Sequence, residues 1–244
     1  MNKEDRLKLK QSRIMKYFIE ATNQIIQKDG ISAVNIRNAS AIAGYSSATL
    51  YNYFDNLTHL IFLATFNQLE EYNKALANCI ATCKNSLEVY MQVCKCFCDY
   101  AYKKPEIYEL LFFSRNDNKF DDYIKQYYEL YPEKEYKGLP NFLDKMLHSN
   151  NLHQRSFLML LNCIEDGFLD ELNANDFNDI CLRFNKTILQ DVKERILEPK
   201  EATAMTLRYY YQLFRCYTNE QGIKILDDCY EKIVSQMGGG SKAF

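Results

Sequence analysis

The chain has 244 residues, 30 Lys and Arg against 32 Asp and Glu, and 47% hydrophobic residues, the balance of a folded soluble protein with one or two well-buried domains. Only 8 Gly and 4 Pro interrupt it, which favours long helices over a many-turned β fold. No apolar run is long enough to cross a bilayer, and the polar start MNKEDRLKLKQSR has no apolar stretch of a signal peptide, so a cytoplasmic protein without membrane association is expected. The net charge of −2 divides unevenly, because residues 1–60 hold eight Lys/Arg against five acids and the remainder carries the acidic excess. A basic head on an acidic body fits a nucleic-acid contact confined to the N-terminal part.

Residues 13–28 read as an amphipathic helix, with Ile14, Tyr17, Phe18, Ala21, Ile25 and Ile26 at helical spacing. Asp29-Gly30 ends it, since glycine accepts a left-handed backbone without a Cβ penalty. Asn35 is a suitable N-cap for a short helix through Ile42. Gly44 supplies a tight turn, and Ser46 caps a third helix from Ser47 to about Phe54. Two short helices joined by a glycine turn, behind a longer supporting helix, form a helix-turn-helix. Ala39, Ile42, Leu50 and Phe54 are expected inward, which leaves small and hydrogen-bonding residues of the third helix for a groove. The basic arm Lys3–Lys16 is a candidate for further backbone contacts or a solvated tail.

Ala43-Gly44-Tyr45-Ser46 followed by Ala48-Thr49-Leu50-Tyr51-Asn52-Tyr53-Phe54, with Arg37 and Asp29-Gly30 upstream, resembles the DNA-binding domain of the TetR/AcrR family of transcriptional regulators. The resemblance covers about residues 13–60. It implies that Arg37, Ser46, Ser47, Ala48, Thr49, Tyr51, Asn52 and Tyr53 meet bases and phosphates of the major groove. Several features depart from the family pattern: Ala39-Ser40 replaces the usual Ile-Ala pair, with Ile42 expected to make up its packing, and Asn35 replaces the usual capping Thr. Leu57 stands where a phosphate-facing lysine is common, and the recognition helix has no Lys or Arg, so counterion release contributes modestly.

Downstream, helices are expected at 57–80, 86–102, 106–113, 121–131, 139–148, 152–172, 175–197, 200–217 and 219–237. Lys104-Pro105-Glu106 opens one of them, proline being preorganised for a first helical turn. Residues 114–122 and 132–138 read as connectors. The implied organisation is all-α: a helix-turn-helix domain over 1–60, a larger ligand-binding and dimerisation domain over 61–237, and a flexible tail over 238–244. The resemblance implies a homodimer built on the 152–172 helix and one later helix, with Gly167 allowing close approach.

Nine cysteines in an unsecreted chain of this size read as reduced thiols. The i, i+4 pairs Cys79/Cys83 and Cys94/Cys98 could bind a soft metal or report oxidation, but core packing explains them as well. Asp144 and His148 are read as helix-end polar residues, so neither a metal site nor a cofactor is assigned. Of the 19 Tyr and 15 Phe, Tyr100, Tyr102, Tyr108, Phe112, Phe113, Tyr123, Tyr127 and Tyr128 cluster on the segments that line the family's cavity, which suits a small apolar or aromatic effector. Tyr100, Tyr108, Phe112, Tyr123, Tyr127, Phe157 and Cys163 are the candidate ligand contacts. No phosphate-binding loop, dinucleotide fingerprint, nucleophile elbow or zinc-protease motif occurs, so an enzyme is not expected. The function implied is a repressor released from pseudo-palindromic double-stranded DNA by a small molecule. The alternative is a helical interaction protein that binds a protein partner.

Overall fold

The computed structural model describes residues 2–113, 120–132, 140–149 and 152–237. The described residues are helical and contain no strand, as the scarcity of breakers predicts. The chain divides into two compact units: residues 1–70 with 114–137, and residues 71–113 with 138–244. The break expected at residue 60 therefore falls within a helix of the first unit, and the expected tail at 238–244 lies outside the described residues.

In the first unit, α1 (Lys3–Asp29) starts well before the expected residue 13. Its start is a capping box in which the Asp5 N–H donates to Asn2 Oδ1 at 2.7 Å and the Asn2 N–H to Asp5 Oδ2 at 3.1 Å. The basic arm is thus a helical extension whose side chains, from Lys3 to Arg13, are mostly exposed. Helices α2 (Ile36–Ala43) and α3 (Ser47–Tyr51) follow, then α4 (Leu57–Phe66), which packs with α1 and with α8 (Phe120–Leu130). α4 is apolar nearly all round, and such a helix must be covered on several sides. That requirement explains why α8 belongs to this unit.

A continuous helix over 57–80 is not formed. Thr65 turns its hydroxyl back to the carbonyls of Ile61 (2.8 Å) and Phe62 (3.1 Å), and the chain passes through a 3₁₀ turn at Asn67–Leu69 before α5 (Glu70–Ile80). Back-bonding of this kind bends helices.

The second unit contains α5, α6 (Ser86–Ala101), α7 (Pro105–Tyr108), α9 (Asn141–His148), α10 (Leu152–Glu165), α11 (Glu171–Lys193), α12 (Pro199–Tyr217) and α13 (Glu220–Gln236). A π-helical turn at Glu109–Phe113 continues α7 where a regular helix was expected. α6 packs on α10, α12 and α13, and α11 lies between α10 and α12. The helix expected over 152–172 ends at Glu165, because Gly167 (φ +74°) closes it in a Schellman motif. Its N–H donates to the Ile164 carbonyl and the Phe168 N–H to that of Cys163, both at 2.9 Å. Asp170 then caps α11 through the Asn173 N–H at 2.8 Å, so α11 begins four residues earlier than the sequence suggests.

Candidate nucleic-acid interface and effector cavity

The geometry of the helix-turn-helix follows from three local devices. Asn35 Oδ1 accepts from the Asn38 N–H at 2.9 Å and starts α2. Gly44, at φ +77°, closes α2 with its N–H on the Ala41 carbonyl (3.4 Å) and the Tyr45 N–H on that of Ser40 (3.0 Å). Ser46 starts α3: its Oγ accepts from the Thr49 N–H at 3.2 Å and lies 2.9 Å from the Thr49 hydroxyl.

Leu50 and Phe54 are buried as expected, and Phe54 meets Phe18 edge-on at 5.9 Å. Ile42 is not an inward residue; it is 51% exposed, while Ala39 and Ser40 take the buried positions. Two small side chains let α2 sit close to α1, which leaves no room for a third, larger one.

Arg37, Ser46, Ser47, Ala48, Tyr51 and Asn52 are exposed, and Thr49 and Tyr53 are half-buried. On α3, Ala48 stands opposite the buried Leu50, as does Asn52 at the C-terminal cap, and Ser47 and Tyr51 lie on the flank between Leu50 and Ala48. Tyr51 is 57% exposed, a large aromatic held in solvent. Of the basic residues, Lys16 lies over the Tyr131 ring at 4.6 Å, so it is partly engaged within its own unit.

Behind α3, His59 locks the start of α4. Its Nδ1 accepts from the Asp55 N–H at 3.2 Å, which leaves the proton on Nε2 to donate to Gln126 Oε1 at 2.7 Å. The imidazole stacks on Tyr123 at 3.9 Å. Nothing in the sequence near His59 signals this role, since Gln126 and Tyr123 are more than sixty residues away.

The second unit contains a cavity of about 40 Å³. Tyr72, Tyr90, Phe97, Met146 and Met159 supply apolar walls, and Arg155, Ser156, Asn185 and Tyr210 the polar ones. One polar wall is fully bonded. The Tyr102 hydroxyl donates to Asn185 Oδ1 at 3.1 Å and lies 2.7 Å from the Thr206 hydroxyl. Asn185 Nδ2 donates to Tyr210 Oη at 3.0 Å, and Tyr210 donates to the Cys181 carbonyl at 2.9 Å. Burial pushes the Tyr72 and Tyr108 hydroxyls well above the usual phenol range, and the positive charge of Arg155 pulls both back.

None of the seven predicted ligand residues lines this cavity. Tyr108 and Phe112 form a second layer, with Phe97 edge-on to them at 5.5 and 5.6 Å, and Tyr100 meets Tyr72 at 5.9 Å. Phe157 is half-buried and Cys163 buried on α10, away from the lining. Tyr123 and Tyr127 are in the first unit, bonded to Asp55 (3.4 Å) and Asn67 (2.9 Å). Arg155 is the residue that sequence reasoning missed. The signal was a lone cation within the apolar run of α10.

All nine cysteines are free thiols, five of them buried. Among the described residues no group of three or more His, Cys, Asp or Glu side chains is placed to hold a metal ion, and no helix is long and apolar enough to cross a membrane.

A helix-turn-helix unit followed in the chain by a larger helical unit with an internal cavity is the architecture of the TetR-family transcription regulators, and this chain has that fold. RolR in complex with resorcinol is similar over 97% of this chain and 98% of its own, with a TM-score of 0.55 and 13% identity. Thermus thermophilus FadR, a TetR-family repressor in complex with lauroyl-CoA, matches over 82% and 92% with a TM-score of 0.53 and 11% identity. A protein from Shewanella sp. PV-4 described as a TetR-family regulator matches over 85% and 99%, with a TM-score of 0.50 and 12% identity. No family model and no curated protein matches the sequence.

Proposed function

We propose that the chain is a ligand-responsive DNA-binding transcription regulator of the TetR family. In this reading it is a cytoplasmic repressor that leaves its operator when a small apolar or aromatic molecule binds. The observation that carries the reading is the sorting of the helix-turn-helix: its packing residues are buried, while Arg37, Ser47, Ala48, Tyr51 and Asn52 stand free on the same short segment. The resorcinol bound by RolR and the lauroyl-CoA bound by FadR support a sensor role for the second unit, whose cavity is lined mainly by aromatic and aliphatic side chains. Release by a ligand requires that it bind the DNA-free state more tightly than the DNA-bound one.

Because α3 has no cation, one copy makes few electrostatic contacts, and useful affinity needs two half-sites on one homodimer. The partner DNA is then a pseudo-palindrome that mirrors the protein's two-fold axis. We assign the dimer contact to α10 with a later helix, and the DNA contacts to Arg37, Ser46, Ser47, Ala48, Thr49, Tyr51, Asn52 and Tyr53. The uncharged α3 favours a second reading, a helical protein that binds a protein partner. Selection of sites from random duplex DNA at low salt separates the two. The regulator reading expects one enriched pseudo-palindrome, and recovery of none overturns it in favour of the second.

A further inference from the structure

Arg155 is the one charged side chain among the residues lining the cavity of the second unit. It is only 4% exposed, and its guanidinium lies over the Phe112 ring with Cζ 5.2 Å from the centroid. Its Nη2 is buried without a hydrogen-bond partner, and no carboxylate of the described residues pairs with it.

Arginine keeps its charge in proteins, and an ion buried without a counter-ion strongly disfavours the folded state. Phe112 offers only the face of a ring, which attracts the cation but accepts none of its N–H groups. Of the other polar side chains in the lining, Asn185 and Tyr210 are bonded to Tyr102, to each other and to the Cys181 carbonyl, and Ser156 offers a neutral hydroxyl 3.5 Å from that of Tyr90. Arg155 thus lines the cavity with its charge unbalanced and Nη2 without an acceptor.

We propose that the effector carries a carboxylate, held by Arg155, on an apolar body of about one ring. This rests on the second unit being the sensor. A guanidinium presents a planar fork that matches a carboxylate in two parallel hydrogen bonds. A phosphate dianion fits less well, because no second cation lines the cavity to balance it. The body follows from size and lining. A cavity of 40 Å³ holds about three or four waters, a liquid volume of roughly 90–120 Å³, below the roughly 150 Å³ of a cavity that accepts benzene, so the body is no larger than one ring and the walls must give as it enters. Tyr72, Tyr90, Phe97, Met146 and Met159 give that ring apolar and aromatic contacts.

The test is calorimetric titration of the full-length protein with benzoate, phenylacetate and cyclohexanecarboxylate, each beside its neutral amide. At least one acid is expected to bind at least about tenfold more tightly than its amide, the scale of a charge-assisted pair. Arg155→Met should abolish that preference. It should also raise the melting temperature of the ligand-free protein, because it removes a buried charge without a partner. The proposal is overturned if no acid binds better than its amide in the unmodified protein, a comparison that needs no variant. It is also overturned if Arg155→Met folds and keeps the preference. Neutral aromatics that bind and release DNA equally from both proteins would leave the sensor reading intact while removing the carboxylate. If no compound, acid or amide, binds or alters DNA binding, the carboxylate proposal falls and the sensor reading loses its support.

Discussion

Tyr102→Phe isolates one hydroxyl bonded to Asn185 of the cavity's polar wall. The ring is fully buried and phenylalanine keeps its packing, so the change is confined to hydrogen bonds. Thr206 retains a partner, because its hydroxyl also donates to the Ala202 carbonyl at 2.8 Å. Asn185 Oδ1 has no such reserve: its donor is Tyr102, and the residue is buried. One buried acceptor left without a donor costs about 1–3 kcal/mol. For a domain of this size that corresponds to a fall in melting temperature of roughly 2–12 °C. Circular dichroism at the helical band is the suitable assay, since the chain has no tryptophan to report by fluorescence. Asn185→Leu alone removes the partner of Tyr102 and the donor to Tyr210, whose own bond to the Cys181 carbonyl survives. Combining the two removes donor and acceptor together, so the double variant should lose less than the sum, with a coupling of about 1–2 kcal/mol. A single-variant shift under about 1 °C, or strict additivity, would falsify the claim that this network holds the wall.

At the DNA face, Thr49→Ala should change preference at one or two base pairs per half-site by about 1–3 kcal/mol each, read by repeating the site selection. Arg37→Ala should weaken binding similarly across sequences and make the salt dependence shallower if its contact is to phosphate; unchanged affinity and slope would remove Arg37 from the interface. Cys79 lies half-buried on α5, and its pairing with the Cys96 thiol holds it below the usual thiol range despite burial, whereas burial pushes Cys83 up to about 11. Thiolate at Cys79 therefore forms at lower pH than at Cys83, so iodoacetamide followed by mass spectrometry at pH 7.5 should label it well before Cys83. Equal rates would contradict the lowered Cys79 thiol. Gly167→Ala should destabilise the protein by about 1 kcal/mol through its positive φ, since nothing lies within 4 Å of the added Cβ. If it instead shifts light scattering from dimer to monomer with no loss of stability, Gly167 is an interface residue.

The helix-turn-helix was legible in the sequence because its devices are local. A cap at Asn35, a left-handed glycine at Gly44 and a cap at Ser46 act within three or four residues, and the backbone hydrogen bonds they make are those seen. The all-α class was legible for the same reason, as periodic apolar residues and few breakers act over one or two helical turns. Chain-local signals failed where the outcome depended on which surfaces meet. Ile42 reads as an inward residue by spacing, yet the close fit of Ala39 and Ser40 leaves it in solvent. Tyr123 and Tyr127 belong to an aromatic-rich stretch, yet an apolar α4 that needs covering takes α8 into the first unit. The cavity draws on α5, α6, α9, α10, α11 and α12, so its lining is a property of how six helices pack and of no one segment. Arg155 shows the division most plainly: composition records one more cation, but only tertiary packing, with the Phe112 ring under its guanidinium, makes that cation buried and leaves its Nη2 without a partner.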